Sequence, residues 1–156
     1  MTEAAQENNQ PFFNMDKIYV KDLSLEIPHA PKVVMGRDSP TIDVQLHTQA
    51  STIEDNRFEV VVMATITAKL VDKIMFLIEV KQAGIFQIIN VPTEELEPIL
   101  AVMCPNILFP FLREVVSDIA VRGGFTPVLL NPINFDALYQ QQKQQQAQAA
   151  TSTTTH

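Results

Sequence analysis

The sequence predicts an α+β fold: a four-stranded antiparallel sheet packed against one long helix, with a shorter helix at the C-terminus. Three observations predict it. Four consecutive stretches alternate apolar and polar residues and are joined by loops or short turns, as in an antiparallel meander. A later stretch, from Phe109 or Pro110 to Arg122, repeats its apolar residues with the period of a half-buried helix. A last amphipathic stretch begins at Asn134.

The first two predicted strands lie on either side of a proline loop. In the first, Leu23, Leu25 and Ile27 alternate with polar and acidic residues, which places an apolar row on one side of the strand. Residues 28–40 contain prolines and a glycine and break this alternation. The second strand covers residues 41–52. We therefore expect an extended loop between two half-buried strands.

The third and fourth strands follow a hairpin turn at residues 54–56. The even positions of the third strand, residues 58–70, should form its core face. These are Phe58, Val60, Val62, Ala64, Ile66 and Ala68. After a turn at residues 71–73, the fourth strand should turn Ile74, Phe76, Ile78 and Val80 to one face and Met75, Leu77, Glu79 and Lys81 to the other. Gly84 indicates a bulge or a close backbone approach at the end of this strand.

The long helix is predicted to begin near Pro110, because proline suits the first turn of a helix better than its interior. Gly123-Gly124 should end it. One face is apolar: Phe111, Leu112, Val115, Val116, Ile119 and Ala120. A short helix after Pro92 should be interrupted by Pro98, and Asn134 should cap the last helix. The helix after Pro110 is expected to be the only long one.

The chain is expected to form one domain with loose ends. Residues 1–14 are rich in Gln, Asn and Glu, and residues 141–156 are rich in Gln, Ala and Thr. Both segments lack an apolar stripe and are predicted to be disordered, which leaves residues 15–140 as the folded domain. With 156 residues, 46% of them hydrophobic, the chain is long enough for one core.

Composition restricts the function. The net charge of −7 disfavours nucleic-acid binding, which depends on Lys and Arg. An acidic surface suits a basic or zinc-bearing partner, but it more often serves solubility alone. The single cysteine, Cys104, allows no intrachain disulfide. The N-terminal residues lack the pattern of a signal peptide, and no stretch is expected to cross a membrane. We expect a cytoplasmic protein with no direct membrane insertion.

Catalytic chemistry is weakly indicated. Cys104 with His29 or His47 would supply a nucleophile and a base, but nothing in the sequence places either histidine beside the thiol, and a buried structural cysteine is favoured. Asp22 and Glu26 share a strand face, which is more often a solvated edge than an acid–base pair. No metal-ligand spacing or glycine-rich phosphate loop is present, so we predict no enzyme, cofactor or metal. A small-ligand or enzymatic domain using Cys104 is the alternative.

Apolar residues are abundant outside the predicted strands. They occur in residues 28–40, 85–89, 103–111 and 125–133. Apolar loops of this kind either become buried between subunits or line a groove. From composition we favour an oligomer interface.

Several segments, in order along the chain, resemble the SecB family of bacterial protein-export chaperones. They are IYVKDLSLE from Ile18, AGIF from Ala83, CPNILFP from Cys104 and PINFDAL from Pro132. The resemblance covers about Ile18 to Tyr139. It implies a four-stranded sheet and long helix assembled as a homotetramer, a dimer of dimers. It also implies an ATP-independent holdase that binds unfolded precursor polypeptides in apolar grooves, keeps them competent for translocation and delivers them to the SecA motor. A SecB-like chaperone with other clients is a further alternative.

The resemblance also assigns roles to individual residues. It places SecA docking on Asp22, Glu26, Leu77 and Glu79. It places subunit-sensitive positions at Ile78, Val80 and Gln82. For the client groove we select the aromatic residues Phe76, Phe86, Phe109, Phe111 and Phe125. Where relatives often carry a tryptophan in the proline loop, this chain has Asp38.

Overall fold

The computed structural model describes residues 9–152, and the elements follow the predicted order of strands and helices. The strands are β1 (Phe12–Glu26), β2 (Thr41–Glu54), β3 (Arg57–Leu70) and β4 (Lys73–Ile89). The helices are α1 (Lys32–Met35), α2 (Thr93–Pro98), α3 (Cys104–Arg122) and α4 (Phe135–Ser152). A π-helical segment, Ile99–Met103, joins α2 to α3.

The four strands form one antiparallel sheet in the order β1-β4-β3-β2, which confirms the predicted sheet. A simple meander would place β1 beside β2. Instead, β1 pairs with β4 at the opposite edge, because the loop and α1 between β1 and β2 carry the chain across the sheet. We call the side that packs against α3 the inner face and the other side the outer face.

The predicted core face of β3 is confirmed, since all six even-numbered residues from Phe58 to Ala68 have at most 9% of their surface exposed. Phe76, Ile78 and Val80 of β4 are buried with them, as predicted. The prediction for the start of β4 is wrong. Ile74 is 37% exposed, whereas Met75 is buried at 4%. A register shift leaves Met75 without a partner residue on β3, which reverses the alternation at this point.

The predicted start of the long helix is also wrong. The helical stretch is continuous from α2, and Pro110 lies inside α3 rather than at its beginning. Pro98 is the last residue of α2, so the α-helix is interrupted there as predicted, and the chain continues as the π-helical segment Ile99–Met103. A proline costs a helix one backbone hydrogen bond. In α3, the helical turn before Pro110 is stabilised by burial of Cys104, Leu108 and Phe109, which are at most 6% exposed.

The predicted glycine end of α3 is confirmed. Gly124 has φ of +87°, the left-handed conformation that glycine adopts readily. The backbone N–H of Phe125 donates to the carbonyl of Ala120 at 3.0 Å, and that of Gly124 donates to the carbonyl of Val121 at 3.0 Å. These two bonds form a Schellman motif, which turns the chain back toward the sheet after α3.

The bounds of the domain are wider than predicted. β1 begins at Phe12, and α4 extends to Ser152 instead of ending near Gln140. Glutamine and alanine favour helix, which explains how α4 continues without an apolar stripe, and side chains 141–151 are exposed. α4 is therefore almost as long as α3, so the expectation of a single long helix is wrong. Residues 1–8 and 153–156, part of the predicted disordered tails, lie outside the described residues.

Within residues 9–152, one helical stretch is long and apolar enough to cross a membrane by length and composition, contrary to the expectation from sequence. It is Thr93–Arg122, which contains α3. Its buried side chains include Leu108, Leu112 and Val116, each without exposed surface in the core of the domain. A core helix of this kind meets the same criteria as a membrane span.

Candidate functional site: an apolar groove and an acidic sheet face

An apolar groove of about 720 Å³ lies on the inner face beside β2. α3 packs on β3 and β4, and it leaves the inner-face residues of β2 partly uncovered. Ile42 and Val44 are each 39% exposed, and they pair with the buried Ala68 and Ile66 of β3. The floor of the groove is therefore a continuation of the core to which α3 does not extend.

The walls of the groove come from α1 and from the connector between α3 and α4. α1 contributes Val33 and Val34, and the connector contributes residues 125–131 and Ile133. The charged residues among those that line the groove are Arg37 and Asp38. The lining is otherwise apolar or uncharged, as in most binding clefts.

Phe125 reaches the groove because of the Schellman motif at the end of α3. The turn places its ring 4.6 Å from the ring of Phe76, with 32° between the two planes. Phe109, one turn into α3, lies edge-on to Phe135 of α4 at 5.8 Å and has the Arg113 guanidinium 5.9 Å from its ring centre. Phe76, Phe109 and Phe125 all line the groove. Aromatic pairs at these distances stabilise the wall.

An acidic patch lies on the outer face, opposite the groove. On β1 and β4, Glu26 is directly paired with Leu77, and Ser24 with Glu79. Two residues before Ser24 on β1, Asp22 is paired with Lys81. The three carboxylates are exposed and Leu77 is half-buried among them. This arrangement is a small apolar centre with an acidic rim, which suits a basic partner.

Next to this patch, three polar side chains form a network across β4. The Tyr19 hydroxyl donates to one oxygen of Glu59, and Lys21 Nζ lies 2.7 Å from the other. Lys21, and then Tyr19, hold the pKa of the Glu59 carboxyl below its ordinary value. Burial, reinforced by Glu59, raises the pKa of Tyr19 to about 12. Glu59 is therefore charged and Tyr19 protonated at neutral pH.

Comparison with known proteins identifies the family. A family model described as preprotein translocase subunit SecB matches residues 6–146. Protein-export protein SecB of Methylobacillus flagellatus is 55% identical over 152 residues, covering 97% of each chain. Its counterpart in Nitrosomonas eutropha is 59% identical over 145 residues, covering 92% of this chain and 89% of the relative. The chain belongs to the SecB family.

A solved structure of a SecB-like protein has the same fold. It is the SecB-like chaperone of Mycobacterium tuberculosis in complex with a ChAD peptide from an antitoxin. The match has a TM-score of 0.64 at 19% identity and covers 78% of this chain and 90% of that one. The α+β class and the resemblance to SecB are thus confirmed, and the protein is a SecB-family protein-export chaperone. The curated relatives are named as export proteins and not as enzymes.

The structure brings together three of the five aromatic residues selected for a SecB-type client groove, Phe76, Phe109 and Phe125. Phe86 lies elsewhere: it has no exposed surface and packs against Phe13 at 5.7 Å in the core. Phe111 is 46% exposed on α3 and does not line the groove. The roles of all five in client binding stay predictions.

The four residues selected for SecA docking, Asp22, Glu26, Leu77 and Glu79, share the outer face described above. Their docking role also stays a prediction. The three selected subunit positions, unlike the docking residues, are not on the surface of a single chain. Ile78, Val80 and Gln82 are at most 2% exposed. Gln82 Nε2 donates to the carbonyl of Tyr19 at 3.2 Å, while its Oε1 has no hydrogen-bond partner among residues 9–152. Any effect of these residues on assembly must therefore act through the sheet.

The enzymatic alternative loses its support at Cys104. The thiol is fully buried at the start of α3, and burial raises its pKa to about 12. A nucleophilic cysteine needs the opposite, a lowered pKa and an accessible sulfur. His47 belongs to β2 and pairs with Met63, on the outer-face side of the sheet. Within the described residues, no cluster of three or more His, Cys, Asp or Glu could hold a metal ion.

Sequence reasoning missed the groove floor and the Tyr19–Lys21–Glu59 network. Ile42 and Val44 were placed correctly on one strand face, but alternation does not reveal whether a helix covers that face. In the sequence, the apolar residues of the connector after α3 could have indicated a groove. The network left no signal in local periodicity, because Glu59 and Lys21 are on strands that are not adjacent.

Proposed function

We propose that the chain is an ATP-independent holdase that keeps unfolded precursor proteins competent for translocation and delivers them to the SecA motor. The observation that carries the proposal is the apolar groove on the inner face, with exposed Ile42 and Val44 as its floor. Apolar burial is non-directional, so a groove of this type holds varied segments without a strict sequence code. A folded client hides such segments in its own core and is not bound.

The number of apolar side chains that the groove holds at once determines how tightly a client binds. Burying one large apolar side chain contributes about 1.5–3 kcal/mol, and a micromolar Kd corresponds to about 8 kcal/mol, so roughly four side chains must be held together. A chain that is still unfolded offers several such segments. The groove therefore favours long unfolded polypeptides over short peptides, in keeping with a holdase.

The proposed SecA docking surface is the acidic patch of Asp22, Glu26 and Glu79 around Leu77. It lies on the opposite face of the sheet from the groove, so a client and SecA would not compete for the same residues. Exposed carboxylates attract a basic segment over roughly 10 Å at 0.1 M salt, and the attraction weakens as salt rises.

Assembly as a dimer of dimers is supported by apolar surface that one chain leaves uncovered. Along β1, the inner-face residues Met15, Val20 and Leu23 are 41–43% exposed. On α3, Phe111 is 46% and Val121 50% exposed. Apolar residues in this number on one sheet edge and one helix are typical of subunit interfaces. Sedimentation or light scattering should give the mass of a tetramer.

The holdase proposal is tested by aggregation of an unfolded precursor, followed by light scattering without nucleotide. The wild-type protein should suppress aggregation increasingly as its concentration is raised. Val44→Asp places a charge on the groove floor and should weaken suppression, whereas Val71→Asp, at a fully exposed hairpin tip, should not. A wild-type protein that is monomeric and leaves aggregation unchanged would overturn the proposal.

The docking proposal is tested by titrating SecA with charge-reversed variants. Glu79→Lys should weaken SecA binding while suppression of client aggregation is unaffected. Glu94→Lys, which reverses the charge of another exposed acidic residue, on α2, is the matched control. Equal SecA affinity for Glu79→Lys and the wild type would contradict the docking proposal.

Co-purification of bound precursors from the native host would identify the clients.

A further inference from the structure

β1 contains two bulges, and the extra residue of each is charged. The pairing of β1 with β4 skips Asp16 between Met15 and Lys17, and it skips Lys21 between Val20 and Asp22. Both extra residues reach over β4 to ion-pair partners on β3. Asp16 Oδ2 lies 3.1 Å from Arg57 Nε, and Lys21 Nζ lies 2.7 Å from Glu59 Oε1.

The second bulge decides which face of the sheet carries the acidic patch. In a regular strand, residues four apart point to the same face. Ile18 and Asp22 are four apart, yet Ile18 pairs with Gly84 on the inner face and Asp22 pairs with Lys81 on the outer face. The inserted Lys21 causes this reversal. If Lys21 were instead paired with β4 as a regular strand residue, Asp22 and Glu26 would be on the inner face and Leu23 would be on the outer face.

This bulge is held from both sides of the sheet. On the outer face, Tyr19 and Lys21 converge on Glu59, passing over Ala83, which is fully buried beneath them. On the inner side, the Gln82 amide donates to the carbonyl of Tyr19 at 3.2 Å. β1, like β2, is an edge strand of the sheet and pairs with one neighbour, so its register is less constrained than that of the two central strands.

We propose that Tyr19, Lys21 and Glu59 are positioning residues for docking: they hold the β1 bulge that turns Asp22 and Glu26 onto the outer face. This inference rests on the proposed SecA docking surface. The three residues act through the strand and need not touch the partner. Their role is to fix the register in which Glu26 faces Leu77 and Ser24 faces Glu79.

Charge exchange between Lys21 and Glu59 tests the inference through SecA binding. Lys21→Glu and Glu59→Lys each place like charges together, and each should weaken SecA binding about fivefold. The double variant, Lys21→Glu with Glu59→Lys, restores an opposite pair and should recover most of the affinity. The matched control is the same exchange in the exposed Arg122–Asp118 pair on α3, at 2.8 Å, which should leave SecA binding unchanged.

The sign of the Lys21→Glu effect separates positioning from simple electrostatics. A new carboxylate beside Asp22 makes the patch more acidic, so direct attraction of a basic partner would tighten binding. The positioning role instead predicts weaker binding, because the carboxylates of the patch leave their arrangement. Tighter or unchanged binding by Lys21→Glu would overturn the inference.

A register assay gives the same answer without SecA. In a Cys104→Ala background, Ser24→Cys and Glu79→Cys place two thiols on directly paired residues. When a thiol oxidant is added, the disulfide between them should form efficiently with native Lys21 and Glu59 and in the charge-exchanged double variant. Its yield should be several-fold lower with Lys21→Glu or Glu59→Lys alone. An unchanged yield would overturn the positioning role. Absence of SecA binding by the wild type would instead overturn the docking proposal, and the disulfide yield would still decide whether the pair sets the register.

Discussion

A methyl group added at Gly84 tests a close contact between the sheet and α3. Gly84 is on the inner face of β4, and a Cβ built there would lie 2.8 Å from Cε2 of Phe86 and 2.9 Å from Cδ2 of Leu108. Carbon atoms in good contact lie about 3.5–4.0 Å apart. Phe86 and Leu108 have no exposed surface, so neither side chain has free space into which to move. Gly84→Ala should therefore strain the core.

The size of the effect follows from two opposing contributions. Overpacking of a core costs about 1–3 kcal/mol, while replacing glycine by alanine stabilises by about 0.4–1 kcal/mol through the unfolded chain. We expect Gly84→Ala to lower the free energy of unfolding by about 1–2 kcal/mol. Urea unfolding followed by circular dichroism measures it. Protein concentration must be held constant, because assembly makes apparent stability depend on concentration.

Two comparisons make this prediction refutable. Gly36→Ala is the matched control: its nearest contact would be 3.6 Å, to the carbonyl of Val33, so this variant should be as stable as the wild type or slightly more stable. In a Leu108→Ala background one of the two close contacts is gone, and the cost of Gly84→Ala should fall by about half. A stable Gly84→Ala protein, or an equal cost in both backgrounds, would refute the packing argument.

Three further predictions concern single side chains. Burial raises the pKa of the Cys104 thiol from 9.0 to about 12. Because the thiolate is the reactive form, Cys104 should react with a thiol reagent at pH 8 roughly a thousandfold more slowly than an exposed thiol. Unfolding in urea should remove this protection. In a Tyr139→Phe variant, the ultraviolet titration of Tyr19 should have its midpoint near 12. Because the folded-state pKa is above the ordinary value of 10.0, the stability that Tyr19 contributes should be lost as pH rises from 10 toward 12. A midpoint near 10 would contradict its burial and its contact with Glu59. Asp118→Asn removes the exposed ion pair with Arg122 and should leave the urea midpoint of unfolding nearly unchanged, whereas a clear loss of stability would show that the pair is not merely a surface contact.

In the proposed function, the two faces of the sheet have separate tasks. The client would occupy the groove beside Ile42 and Val44, and SecA would approach the acidic patch around Leu77. The sheet between them is tightly packed at Phe76, Ile78 and Val80. Variants on one face should therefore change one binding event with little effect on the other, which allows both proposals to be tested in the same protein.

Residue patterns alone predicted the elements whose structure depends on near neighbours. The even-numbered row of β3, the hairpin at Asn56 and the glycine end of α3 were all predicted from spacing. Each depends on a local rule: alternation along a strand, a residue that tolerates positive φ, or a helix cap. The start of α3 was missed because the rule for proline describes an isolated helix. Burial of Leu108 and Phe109 on the sheet outweighs it.

The sequence by itself determined the class of fold, the family and the sides of most strands, because alternation, helical period and segment order are all visible along one chain. The tertiary structure alone decided that β1 lies beside β4, that Lys21 reverses the faces of that strand, and that α3 leaves Ile42 and Val44 uncovered. These three features depend on contacts between residues far apart in the chain. The groove and the acidic patch owe their positions to such contacts, and no local pattern encodes them.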